Sequence, residues 1–156
     1  VRRLLDLVIL TFFLTACGEA EENYEKQKSG TLEHEGLLME TKIEHRDDET
    51  EISIQVTNKS DHPESFTISD GHAFDIRLLD EKGNVQYDFA EGKMFTQAVI
   101  TEELESDETH EWTETLPADV YRNEKIAAAE VTVRIDEWRG NAVTDDDLRI
   151  EKPWDL

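Results

Sequence analysis

Residues 37–56 read LLMETKIEHRDDETEISIQV. Leu37, Met39, Thr41 and Ile43 fall on one side of an extended chain, and Glu40, Lys42 and Glu44 fall on the other. After the polar Arg46 to Glu49, Ile52, Ile54 and Val56 alternate with Ser53, Gln55 and Thr57. A period of two sends successive side chains to opposite faces of a pleated chain. Both segments are therefore half-buried strands, joined by the polar turn as a hairpin.

The same alternation recurs outward from this hairpin. Asn58 to Pro63 is a connection, and Phe66 and Ile68 give a short strand. Phe74, Ile76 and Leu78 form another, and Val85, Tyr87 and Phe89 return from it. Gly83 between them is expected in the left-handed conformation that a short hairpin loop needs. Trp112 lies in a strand. Ala127, Ala129, Val131, Val133 and Ile135 share a face. The alanines there suit a helix, but the alternation and the Val-Thr-Val run place a strand. Leu148, Ile150 and Trp154 close the chain, either as an edge strand or lying on the surface. Seven or so short strands with little helix predict an all-β antiparallel sandwich.

The chain has 156 residues, enough for one domain with a core that needs no disulfide. Its formal net charge is −22, with 38 acidic against 16 basic residues. Nucleic acid is excluded as a partner, because phosphate binding needs clustered Lys and Arg.

Cys17 is the single cysteine. Arg2 and Arg3 precede the apolar run LVILTFFL at residues 7–14, which is too short to span a bilayer as a mature helix. Leu14-Thr15-Ala16-Cys17 then resembles the bacterial lipoprotein signal, in which small residues fit a peptidase cleft and the thiol receives diacylglycerol. Residues 1–16 are accordingly expected to be a signal peptide, with lipid attached at Cys17. Residues 17–31, polar and without apolar period, are a flexible tether, and 32–156 are the folded domain. The expected location is extracytoplasmic, with the domain anchored to the bacterial cell membrane.

No catalytic constellation is present: there is no G-x-S-x-G elbow, H-E-x-x-H pair or Gly-rich phosphate loop. No cofactor and no metal are expected. Asp70-Gly71-His72 with Asp75 is read as a turn. Asp145 to Asp147 lacks the spacing of a calcium loop and is read as a solvated acidic loop.

An ordered series of motifs runs through the middle of the chain. It comprises Asn58-Lys59-Ser60, Asp70-Gly71-His72-Ala73-Phe74-Asp75, Asp80-Glu81-Lys82-Gly83, Tyr87-Asp88-Phe89, Phe95-Thr96-Gln97-Ala98, Leu104 and Trp112. The series resembles the intracellular proteinase inhibitor (BsuPI) family over about residues 37–135. Glu105-Ser106-Asp107 stands where that family carries Pro-Gly. The resemblance implies an immunoglobulin-like β-sandwich that inhibits a subtilisin-like serine protease.

The stretch AEGKMFTQAV, residues 90–99, holds the candidate partner-binding residues Lys93 and Met94. Phe95 and Val99 are expected to be core, and Gln97 to brace a neighbouring turn. The alternative function is a non-inhibitory protein-interaction module of the cell envelope, with another envelope protein as partner.

Overall fold

The computed structural model describes residues 30–122 and 125–154. The strands are β1 Thr31–His34, β2 Leu37–His45, β3 Glu49–Asn58, β4 Glu64–Ile68, β5 Phe74–Asp80, β6 Val85–Asp88, β7 Ile100–Leu104 and β8 Thr109–Pro117. After a one-turn helix α1, Ala118–Tyr121, come β9 Ile126–Val133, β10 Glu137–Trp138, β11 Asn141–Ala142 and β12 Arg149–Pro153. The expected signal peptide, Cys17 and nearly all of the expected tether lie outside the described residues. Thr31, expected to end the tether, is already the first residue of β1 and pairs with Glu40.

The hairpin over residues 37–56 is present as expected. Met39 lies opposite Val56, Thr41 opposite Ile54 and Ile43 opposite Ile52, so the apolar positions of β2 and β3 face the same way. These strands sit in a sheet of order β1-β2-β3-β8. Two further antiparallel sheets have the orders β11-β10-β4-β7 and β12-β9-β5-β6. They meet where β9 runs on towards β10. There the Arg134 N–H donates to the Ala73 carbonyl at 2.8 Å, and the Asp136 N–H donates to the Thr67 carbonyl at 2.9 Å. The chain from Ile126 to Trp138 thus faces β5 first and β4 afterwards. One core joins all three sheets. Met39, Ile54 and Val56 meet Phe66, Leu104 and Trp138 from the second sheet and Ile76, Val131 and Val133 from the third. The antiparallel β-sandwich predicted from alternation is the observed architecture.

The strands at residues 74–80 and 85–88 enclose the predicted turn, and Gly83 has φ 79°. Asp80 organises that turn. Its carboxylate accepts the backbone N–H groups of Lys82 and Asn84 and the Asn84 side-chain amide.

The alternatives left open for the C-terminal segment are settled here. The C-terminal segment is an edge strand: β12 pairs with β9, and Leu148, Ile150 and Trp154 are buried. Trp112, on the outer strand β8, is only partly buried and packs beside the rings of Phe66 and His110. The fully buried tryptophan is Trp138, whose indole N–H donates to the Glu35 carbonyl at 3.1 Å.

Candidate functional site

Residues 89–99 connect β6, the outer strand of the third sheet, with β7, the outer strand of the second. The loop starts as a tight turn. The Ala90 N–H donates to the Asp88 carboxylate, the Glu91 N–H to the Asp88 carbonyl and the Lys93 N–H to the Ala90 carbonyl. Gly92 takes φ 73° there, a conformation that costs most residues energy and glycine little.

Lys93 is then turned back onto the domain. Its Nζ lies 3.1 Å from the centroid of the Phe89 ring and 3.5 Å from the Glu114 carboxylate on β8. Burial, followed by the carboxylates of Glu114 and Asp88, pushes the neighbouring Tyr87 phenol above its ordinary pKa.

Phe95 is anchored on the other side of Met94. Its ring stacks on the His72 imidazole with centroids 3.8 Å apart. The next residue, Thr96, accepts the Gly71 N–H through its carbonyl at 2.7 Å. A Cβ at Gly71 would stand 2.4 Å from Thr96 Oγ1, so this close approach requires glycine. His72 is held in turn. Its backbone N–H donates to the Asp70 carboxylate, and its Nε2 lies 2.7 Å from Asp75 Oδ1. Asp75 is buried and also meets Arg134 at 3.3 Å. The Asp-Gly-His stretch is therefore a turn, as expected from sequence, and it supports the loop.

Between these two anchors Met94 is 98% exposed. The two candidate residues therefore differ in kind. Lys93 is engaged within the domain, and Met94 projects into solvent.

The expectations for the end of the stretch are corrected. Val99 is 68% exposed and is not core. Gln97 and Ala98 are exposed, and Gln97 takes part in none of the described hydrogen bonds. Past Thr96 the chain has left the aromatic cluster of His72, Phe89 and Phe95 and runs towards the sheet margin, where no element among the described residues covers it. Phe95 is partly buried against the core, as expected.

The Asn58-Lys59-Ser60 motif has a structural role. Asn58 is fully buried, and its amide donates to the carbonyls of His62 and Leu104, both at 2.9 Å. Its side-chain oxygen accepts the Ser60 N–H and hydroxyl. Its backbone carbonyl accepts the Asp107 N–H. One side chain thus ties the end of β3 to the turn after β7. The Asp145 to Asp147 loop is closed internally: Asp147 accepts the Thr144 N–H and hydroxyl, and Asp145 and Asp146 meet Arg134 and Arg149. Among the described residues no group of three or more His, Cys, Asp or Glu side chains is placed to hold a metal ion.

Sequence reasoning missed Val99, Ile100 and Glu103 as surface features beside the loop. Ile100 and Val99 are β-branched, which in isolation favours a strand but does not tell a buried one from an exposed one.

Residues 37–139, from the start of β2 to just past β10, match the family described as intracellular proteinase inhibitor. No curated protein matches the sequence. Among solved structures, the chain is similar to a penta-heme cytochrome c552 from Thermochromatium tepidum, at 10% identity and a TM-score of 0.47 over 76% of this chain. It is also similar to a DUF1425 family member from Shewanella sp. pv-4, at 11% identity and a TM-score of 0.38 over 73% of this chain and 89% of the other. Red sea bream transglutaminase aligns at 10% identity and a TM-score of 0.43 over 87% of this chain. The chain spans 40% of the cytochrome and 18% of the transglutaminase.

Proposed function

The chain belongs to the intracellular proteinase inhibitor family, and on that premise we propose that it blocks a subtilisin-like serine protease by inserting Met94 into the protease cleft. The family implies a protease partner and a role without catalysis of its own. The observation that carries the finer reading is the contrast along the loop: Met94 is 98% exposed while Lys93 and Phe95 on either side are held against the domain. A loop ordered before it meets its partner loses less conformational freedom on binding, so more of the contact energy appears as affinity. Methionine is apolar and adaptable, and subtilisin-like clefts accept large apolar side chains. A specific complex buries about 800 Å² on each partner, more than one side chain supplies, so the flanking loop and strand contribute area.

The domain acts on the outer side of the membrane in this reading, held by lipid at Cys17. The support is the register of Arg2-Arg3, the apolar run and Leu14-Thr15-Ala16-Cys17. On a chain of net charge −22 the acidic domain is repelled by anionic headgroups, so the attachment must come from acyl chains, at about 0.8 kcal/mol per buried methylene.

The deciding experiment titrates wild type, Met94→Asp and Phe95→Ala against a panel of subtilisin-like proteases, with melting curves on the same samples. The expected result is inhibition by wild type and none by Met94→Asp at an unchanged melting temperature. If wild type inhibits no protease in the panel, the inhibitor reading gives way to the envelope interaction module. Lipid attachment is tested separately by incorporation of labelled fatty acid in a bacterial host, which Cys17→Ser must abolish.

A further inference from the structure

β7 ends its sheet, and β4 is its single strand neighbour among the described residues. The direction of its backbone groups follows from the far side of β4. The Asp136 N–H donates to the Thr67 carbonyl and the Arg139 N–H donates to the Ser65 carbonyl, so Ser65 and Thr67 face β10. Backbone groups of alternate residues in an antiparallel strand point to opposite edges. Phe66 and Ile68 therefore bond to β7, opposite Glu102 and Ile100. By the same alternation the N–H and carbonyl groups of Thr101 and Glu103 point away from the sheet. An open edge of this kind is a template for another strand.

The surroundings of this edge indicate what covers it. Met94, Val99 and Ile100 are three of the four large apolar side chains exposed on the described surface, and they lead directly into β7. Acidic residues follow. Glu102 is paired with His110 at 2.8 Å and Asp107 with Lys59, but Glu103 and Glu105 have no ionic partner among the described residues. A second copy of the chain is a poor occupant. Pairing two β7 edges brings two acidic strips together, each on a chain of net charge −22.

We infer that β7 accepts an extended segment of the partner protein as an added strand, with lysine or arginine side chains of that segment lying beside Glu103 and Glu105. Main-chain hydrogen bonds at Thr101 and Glu103 supply the attachment, and the acidic side chains select a basic strand. The identity of the partner as a protease rests on the function proposed above. Residues 94 and 101 lie at most about 25 Å apart along an extended chain, so one protease face reaches both.

The experiment measures binding of an active-site-inactivated subtilisin-like protease at low and high salt. Thr101→Pro removes an outward N–H without taking a backbone bond from β4, as proline at a sheet edge allows, and the Thr101 hydroxyl contact with Thr67 that it also removes is lost equally in Thr101→Val. It is expected to weaken binding at least tenfold, whereas Thr101→Val, which keeps the N–H, is expected to bind like wild type. Glu103→Lys is expected to weaken binding and flatten its salt dependence. A second probe is a ten-residue peptide of alternating lysine and valine, followed through the amide resonances of Thr101 and Glu103. If the protease binds and all three variants bind equally, the edge inference is wrong and the inhibitor reading stands. If no protease binds but the peptide shifts these two amides, the edge inference stands and the inhibitor reading fails. If neither probe binds, both are overturned. Should Thr101→Pro fail to fold, Glu103→Lys and the peptide titration decide.

Discussion

The Phe95 ring lies flat on the His72 imidazole, with centroids 3.8 Å apart and planes 4° apart. This contact fastens an otherwise uncovered connection to a turn that is itself fixed by Asp70, Asp75 and Arg134. Stacked ring pairs contribute about 0.5–1.5 kcal/mol beyond the area they bury.

His72→Ala should therefore lower stability modestly, by about 1–2 kcal/mol, and loosen the loop more than the domain. Amide exchange is the measurement. The Gly71 N–H, bonded to Thr96, should lose protection while amides of β3 and β9 keep theirs. Equal loss everywhere would mean that the stack supports the whole fold. Gly71→Ala should loosen the same amides by displacing Thr96.

The buried Asn58 side chain makes four hydrogen bonds, two donated and two accepted, which uses both its N–H groups and its oxygen. Asn58→Ala leaves the Leu104 carbonyl, buried beside it, and the His62 carbonyl without their side-chain donor and releases the Ser60 N–H and hydroxyl, while the backbone bond to Asp107 remains. An unsatisfied buried polar group costs about 1–3 kcal/mol, and more than one group is affected here, so a loss of at least about 2 kcal/mol is expected. Asn58→Asp should be no better, since a carboxylate cannot donate to the carbonyls of His62 and Leu104. Denaturant unfolding of both variants checks this, and a loss below about 1 kcal/mol in Asn58→Ala would contradict the assigned role.

The two tryptophans should rank in the order of their burial. Trp138→Ala is expected to cost about 3–5 kcal/mol, through a cavity and the loss of the bond to Glu35. Trp112→Ala should cost clearly less, because its ring is only partly buried. The comparison is made by thermal melting of the two variants against wild type.

The Asp80 turn gives a signed pH dependence. The Asn84 side-chain amide, then the Asn84 backbone N–H, hold the Asp80 carboxyl below its ordinary pKa. A folded-state pKa below the unfolded value of about 3.9 means that the contribution is complete above that value and is lost as pH falls through the folded pKa. Asp80→Asn should thus be less stable than wild type at pH 7, with the difference narrowing towards pH 2. Melting curves at the two pH values provide the check, and a gap that persists in acid would assign the effect to shape instead of charge.

Alternation along residues 37–56, 74–78 and 127–135 was enough to give strands, their inward faces and the sandwich class, because a pleated chain imposes its period locally. Gly83 was legible for the same reason: its conformation is set by a five-residue turn. Met94 and Val99 were not separable in this way. Both are apolar and both sit in a stretch without a period, and Val99 turned out to be uncovered only because the chain there runs past the end of a sheet. Nor did alternation single out Trp138, which stands in a two-residue strand beside polar neighbours. Trp138 is buried because β10 lies between β4 and β11 and its indole meets Glu35, more than a hundred residues away. Trp112, on the outer strand β8, stays partly exposed. Local period determines which way a side chain points, but burial depends on what the rest of the chain brings to that side, and that is decided only when distant strands meet.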